Sequence, residues 1–139
     1  MSKKVFEVTQ AGYSIQADVS LIGKDLLIAL TGGDNPHIGT ITCLGKEFAQ
    51  EITRFPSHHG RLHKDDVLSD CLLKHITSYL AGTCVITAGV HVNGISKEQI
   101  KASFEMTEIL GKKIARWLKN ADFPTEEPRY DHYHKTYNG

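Results

Sequence analysis

Residues 32–41, Gly-Gly-Asp-Asn-Pro-His-Ile-Gly-Thr-Ile, place two glycines, an acid, a proline and a histidine between two apolar runs. Adjacent glycines reach the positive φ values that aim successive N–H groups at an anion, and Asn35-Pro36 stiffens the turn behind them. His37 then stands at the loop mouth. Asp34 offers acceptor oxygens to a ligand hydroxyl or ring N–H, or to its own turn. Two residues are enough to join antiparallel strands, so a loop of this length predicts that the turn holds something besides the strands.

A denser polar cluster, Ser57-His58-His59-Gly60-Arg61-Leu62-His63-Lys64, ends where a helix begins. Helix starts present unpaired N–H groups and a positive dipole end. Arg61 can grip two oxygens at once, Lys64 supplies a point charge, and Gly60 lets the backbone come close, a set suited to phosphate or carboxylate. Asp65 and Asp66 compete for the same amides, and a solvated charged loop is the plainer reading. His59 and His63 are four apart, but Gly60 between them argues for loop rather than a shared helix face. Neither Cys-x-x-Cys nor His-Glu-x-x-His accompanies them, so the spacing assigns no metal site. His91, near a strand end, is a third candidate contact, although a lone histidine there is more often a satisfied core residue. With no Gly-x-Ser-x-Gly elbow, Walker-type loop, dinucleotide fingerprint or nucleophile beside a base, no catalytic residue is assigned. Binding is better supported than turnover.

The elements that must carry these loops follow from periodicity. Residues 4–8 and 13–22 flank a Gln10-Ala11-Gly12 turn, and two further strands, 25–31 and 38–44, extend a β meander around the glycine loop. Tyr13, Ile15, Ala17, Val19 and Leu21 alternate with polar residues, the pattern of a sheet with one wet face. Residues 48–55 read as a weaker strand. From Lys64 onward Val67, Leu68, Cys71, Leu72, Ile76, Tyr79 and Leu80 mark one apolar helix face, with Gly82 as its stop. Residues 83–92 form an interior strand. Ser96 with Gln99 spells a capping box flanked by Ile95 and Ile100 at staple positions, and Ile100, Phe104, Leu110, Ile114 and Trp117 supply the buried stripe of a second helix. Beyond Pro124 and Pro128, residues 129–139 are a polar, aromatic tail with little to anchor it. The expected architecture is α+β: a mainly antiparallel sheet of about six strands with two helices packed on one face.

Bulk composition narrows the classes. The 139 residues suit one domain over residues 1–139, and 16 Lys+Arg balance 16 Asp+Glu, so no field draws the chain to nucleic acid or an anionic membrane. Neither a signal-peptide pattern nor a membrane-length apolar run is present, which points to the cytoplasm. Cys43, Cys71 and Cys84 sit in apolar patterns, as free structural thiols do. Eight histidines are the one compositional oddity.

The glycine loop with its His37-Ile38-Gly39, the Ser57–Asp65 loop entering a helix, and the run Ala88-Gly89-Val90-His91-Val92-Asn93-Gly94-Ile95-Ser96-Lys97-Glu98 together resemble the LpdD-like prenylated-flavin chaperone family. The likeness runs from about the first strand to the second helix. These are small accessory proteins of UbiD-type decarboxylases such as gallate decarboxylase, with a fold similar to proteasome assembly chaperones. The resemblance implies a non-enzymatic binder of prenylated FMN (or FMN) that assists cofactor maturation or delivery, with a UbiD-type decarboxylase subunit as partner and a flavin prenyltransferase upstream. A homodimer is the default oligomer. On this reading Arg61, Lys64 and the helix start hold the phosphate. Asp34, His37 and His91 face the ribityl chain or ring edge, and Gly39, His58, His59 and His63 belong to the same cofactor-binding set. Imidazoles exchange protons near neutral pH, which suits oxidative maturation of a bound flavin. Two other classes stay open: an assembly factor without a small-molecule ligand, and a small histidine-based metal protein gathering three of His37, His58, His59, His63 and His91 around one ion.

Overall fold

The computed structural model describes residues 2–57, 60–124 and 126–130. His58, His59 and residues 131–139, which carry two of the site expectations and most of the tail, lie outside them. In chain order the elements are β1 (Lys3–Gln10), β2 (Tyr13–Ile22), β3 (Asp25–Gly33), β4 (Thr40–Leu44), β5 (Glu51–Arg54), α1 (Asp66–Ile76) with a 3-10 turn at Thr77–Tyr79, β6 (Cys84–His91) and α2 (Lys97–Lys119). The strands form one sheet ordered β1-β2-β3-β6-β4-β5, antiparallel except for the β3–β6 pair. It is the expected α+β architecture.

Alternation on β2 decides which face is covered. Tyr13, Ile15, Ala17, Val19 and Leu21 are all buried, as are Leu26, Ile28 and Leu30 of β3 and Cys84, Ile86 and Ala88 of β6. The two helices lie on that face. α2 contributes Met106, Leu110, Ile114 and Leu118, and α1 contributes Leu68, Leu72, Leu73 and Ile76. Lys74 and His75 of α1 both reach Glu108 of α2, tying the helices together at their surface. The apolar stripes differ in detail from those read off the periodicity. Val67, Tyr79, Ile100 and Phe104 are exposed, and Ile95 and Ile100 flank the cap without being buried, because each helix buries only the arc that meets the sheet and its neighbour. Cys84 is fully buried, which pushes its thiol pKa up to about 12.

The capping box forms as written: Gln99 N–H donates to Ser96 Oγ at 3.1 Å, and Ser96 N–H to Gln99 Oε1 at 3.1 Å. Gln99 also donates to the Ala11 carbonyl and its own carbonyl accepts from Tyr13 Oη, so the start of α2 is fastened to the β1–β2 turn. The first helix ends earlier than its apolar pattern: it stops at Ile76, where Thr77 donates its hydroxyl to Leu73 O. Gly82 lacks positive φ; instead, a Cβ there would lie 2.4 Å from Asp25 Oδ1, the acceptor of the Thr83 N–H. The weak strand is reduced to Glu51–Arg54, exposed at the sheet edge.

The meander, too, is broken. β4 does not lie beside β3, because β6 inserts between them, parallel to β3 and antiparallel to β4. The glycine loop therefore spans a whole strand, and it does so by bonding to it. Asp34 N–H donates to His91 O at 2.7 Å and Gly39 N–H to Ala88 O at 2.8 Å. Between those points His37 lies on top of Gly89, where a Cβ would fall 1.8 Å from the His37 carbonyl oxygen. Gly89→Ala is accordingly expected to lower unfolding stability in urea by about 3 kcal/mol or more, the upper end for overpacking, whereas Ser96→Ala costs about 1 kcal/mol; equal midpoints for wild type and Gly89→Ala would refute this account of the loop.

Candidate functional site

Two loops and one strand end meet where β6 finishes. The 34–39 loop is laid across β6 as described. The second loop folds back on itself as a small hairpin: Ser57 N–H donates to Arg61 O, Pro56 and Leu62 form an antiparallel bridge, and His63 N–H donates to Phe55 O at 2.9 Å. Phe55 N–H in turn donates to Gly39 O at 2.9 Å, so the hairpin is hung on the end of the glycine loop. Between them opens a hollow of about 500 Å³ with Asn35, His37 and Ile38 on one side, Pro56, Ser57 and His63 on the other, and His91 at the strand end. The rings of His37 and His63 sit 4.7 Å apart, tilted by 40°.

Asp65 organises the hollow's inner wall. It occupies the N-cap position of α1 in helical conformation (φ −64°) and caps nothing. Its side chain turns toward the sheet instead. Oδ1 accepts the Val90 N–H at 3.0 Å, just past the last β4–β6 pair, Thr40–Ala88. Oδ2 lies 3.5 Å from both His37 Nε2 and His63 Nδ1. Gly39 makes room for it, since a Cβ there would stand 2.4 Å from Asp65 Oδ2. The sequence treats Asp65 as one of two acids favoured by the helix dipole. Its only clue is the His63-x-Asp65 spacing, which in extended chain sets both side chains on one side.

Other candidate residues have partners of their own. Asp34 accepts the Asn93 N–H at 2.8 Å, fastening the glycine loop to the turn after β6. His91 Nε2 lies 3.1 Å from Asn93 Oδ1, and His37 Nδ1 lies 2.9 Å from Asn35 O. Arg61 and Lys64 line a neighbouring hollow of about 640 Å³ with Arg54, Leu62, Asp66 and Val67. There Arg54 donates twice to the buried Asp66, at 3.0 and 2.8 Å. The guanidinium holds the Asp66 carboxyl below its ordinary range, against the upward push of burial. The histidines and the cations Arg61 and Lys64 thus stand in adjacent depressions, His63 alternating with Leu62 and Lys64 on either side of it.

A family model described as the prenylated flavin chaperone LpdD-like domain matches residues 9–119. The chain belongs to this family. It is also 50% identical over 125 residues to Protein LpdD of Lactiplantibacillus plantarum (strain ATCC BAA-793 / NCIMB 8826 / WCFS1), an overlap of 90% of this chain and 92% of that relative. Every residue lining either hollow of this LpdD-like chain, from Asn35 to His91, falls within the matched span. Among the described residues no helix is long and apolar enough to cross a membrane.

The Arg54–Asp66 pair fixes a pH dependence. A carboxyl whose pKa is lowered by folding contributes stability that is complete above the ordinary carboxylate value near 3.9 and lost as pH falls through the folded value. The melting temperature should therefore drop as pH is lowered from about 5 to about 3. Asp66→Asn should start lower at neutral pH and lose less over that interval; parallel curves for the two proteins would show that Asp66 is not the group responsible.

Proposed function

We propose that this LpdD-like protein is a non-enzymatic carrier that binds prenylated FMN (or FMN) and assists its maturation in, or delivery to, a UbiD-type decarboxylase. The observation that carries the reading is the convergence of the glycine loop and the 55–63 hairpin on one hollow, inside the span shared with the family. At about 500 Å³ it is within the ordinary range for small-molecule sites, roughly 300–1,000 Å³. Its lining suits a ligand with a flat apolar ring and a polar chain. Ile38 and Pro56 offer apolar contact, while Asn35, Ser57, His63 and His91 offer hydrogen-bonding groups.

Arg61 and Lys64, which make no side-chain ion pair among the described residues, provide the cationic end for a phosphate reaching from one hollow into the next. Arg54 is less free for that task, since its Nε and Nη2 are engaged by Asp66. Asp34 and Gly39 act indirectly: one fastens the loop to the Asn93 turn and the other admits the Asp65 carboxylate. Prenylated flavin, when bound, supplies the reactive ring system that the partner decarboxylase uses. The chain's own residues bind it, orient it and limit its exposure to water. A homodimer, and handover from a flavin prenyltransferase, complete the proposal.

Titration of the purified protein with FMN and with prenylated FMN tests this reading. Saturable binding is expected, weakened at least 10-fold by Arg61→Ala and by His91→Ala. Binding indifferent to Arg61→Ala would remove that residue from the site, and absence of any flavin affinity would favour an assembly factor that works without a small-molecule ligand.

A further inference from the structure

We propose that His37, His63 and Asp65 form a binding site for one first-row divalent cation of the imidazole-preferring kind, such as zinc or cobalt, in the inner wall of the first hollow. This does not depend on the flavin reading. Among the described residues these three are the one cluster of histidine, cysteine and carboxylate ligands in metal-binding proximity, with their donor atoms all within 4.8 Å of one another.

Hydrogen-bond direction carries the argument. His37 Nδ1 lies 2.9 Å from the Asn35 carbonyl oxygen. A carbonyl can only accept, so Nδ1 carries the hydrogen and Nε2 of the neutral ring presents its lone pair. That Nε2 is buried and, among the described residues, has no hydrogen-bond partner; 3.5 Å from it stands Asp65 Oδ2, itself an acceptor. His63 Nδ1 approaches the same oxygen at 3.5 Å. Lone pairs that face one another across such a gap repel unless a proton or a metal cation lies between them, and here three ligand atoms converge on one place. The separation suits one: with metal bonds of about 2.0–2.1 Å, the edge of a tetrahedral site is about 3.3–3.4 Å.

The supporting shell is already in place. Ligating histidines characteristically donate their other N–H to a carbonyl or carboxylate, as His37 does to Asn35, and ligating carboxylates are themselves hydrogen-bonded, as Asp65 is by the Val90 N–H. Gly39 keeps the approach clear, because a Cβ there would also come within 2.9 Å of the His63 ring. Two imidazoles and one carboxylate favour zinc, cobalt, nickel or ferrous iron over magnesium or calcium, which prefer oxygen ligands. Three protein ligands leave at least one position for water or a ligand oxygen from the hollow.

The test is calorimetric titration of chelator-treated protein with Zn²⁺ and, for its visible absorption, with Co²⁺. The expected result is one equivalent bound at micromolar affinity or tighter, a Co²⁺ spectrum of a low-coordinate nitrogen and oxygen site, and at least 10-fold weaker binding in His37→Ala, His63→Gln and Asp65→Asn. His75→Ala, which changes a histidine paired with Glu108 far along α1, should bind like wild type. Asp65→Asn keeps an acceptor for Val90, so a native circular dichroism spectrum in that variant separates lost ligation from lost folding. No binding, or binding unchanged in all three variants, overturns the proposal. Repeating the flavin titration with EDTA present keeps its outcome separate from that of the flavin reading.

Discussion

One carboxylate joins three parts of the chain. Asp65 takes the Val90 N–H on one oxygen and turns the other toward His37 and His63, so the start of α1, the end of β6 and both candidate-site loops meet at a single side chain. An acid at a helix start would ordinarily bond the helix's own amides. Here the backbone at Asp65 is already helical, which aims the side chain away from the first turn and toward the sheet. The next residue, Asp66, turns to Arg54 of β5 and braces the sheet edge on the other side. Two adjacent acids thus anchor the helix to two different strands, Asp65 behind the histidines of the first hollow and Asp66 in the lining of the second.

Glycines supply the complementary constraint. Separating β3 from β4 by a full strand obliges the connecting loop to cross β6 at close quarters, and only a residue without a side chain at position 89 lets the His37 backbone lie there. Gly39 does the same for Asp65. The loop is therefore held by backbone hydrogen bonds at both ends and by close contact in the middle, which sets the His37 ring over the hollow rather than leaving it to solvent. A ligand site built on such a loop is largely preformed, and preorganisation of this kind reduces the ordering cost of binding.

The candidate site was only partly legible beforehand. His37, His63 and His91 stand out by residue type, and the structure brings them to one hollow. Arg61 and Lys64 stand out equally, yet the structure places them in the neighbouring depression, Lys64 by its alternation with His63. Asp65 was visible only as a charge near a helix start, since its partners are Val90, 25 residues away, and His37 on another loop. Helix stripes were overstated at Val67, Ile100 and Phe104 because an apolar pattern records what can be buried, not how wide an arc a neighbour covers.

From the chain alone came what short-range physics controls: the alternating burial of β2, the capping box at Ser96, the free thiols, and the α+β class that such elements must form. Each depends on residues a few positions apart, where spacing and hydrogen-bond chemistry leave little choice. Tertiary structure alone decided that β6 divides the expected meander, that α1 stops at Ile76, and that Asp65 serves the sheet rather than its helix. Those outcomes depend on contacts between distant segments, whose relative energies are set by which backbone amides are left without partners once the sheet has assembled.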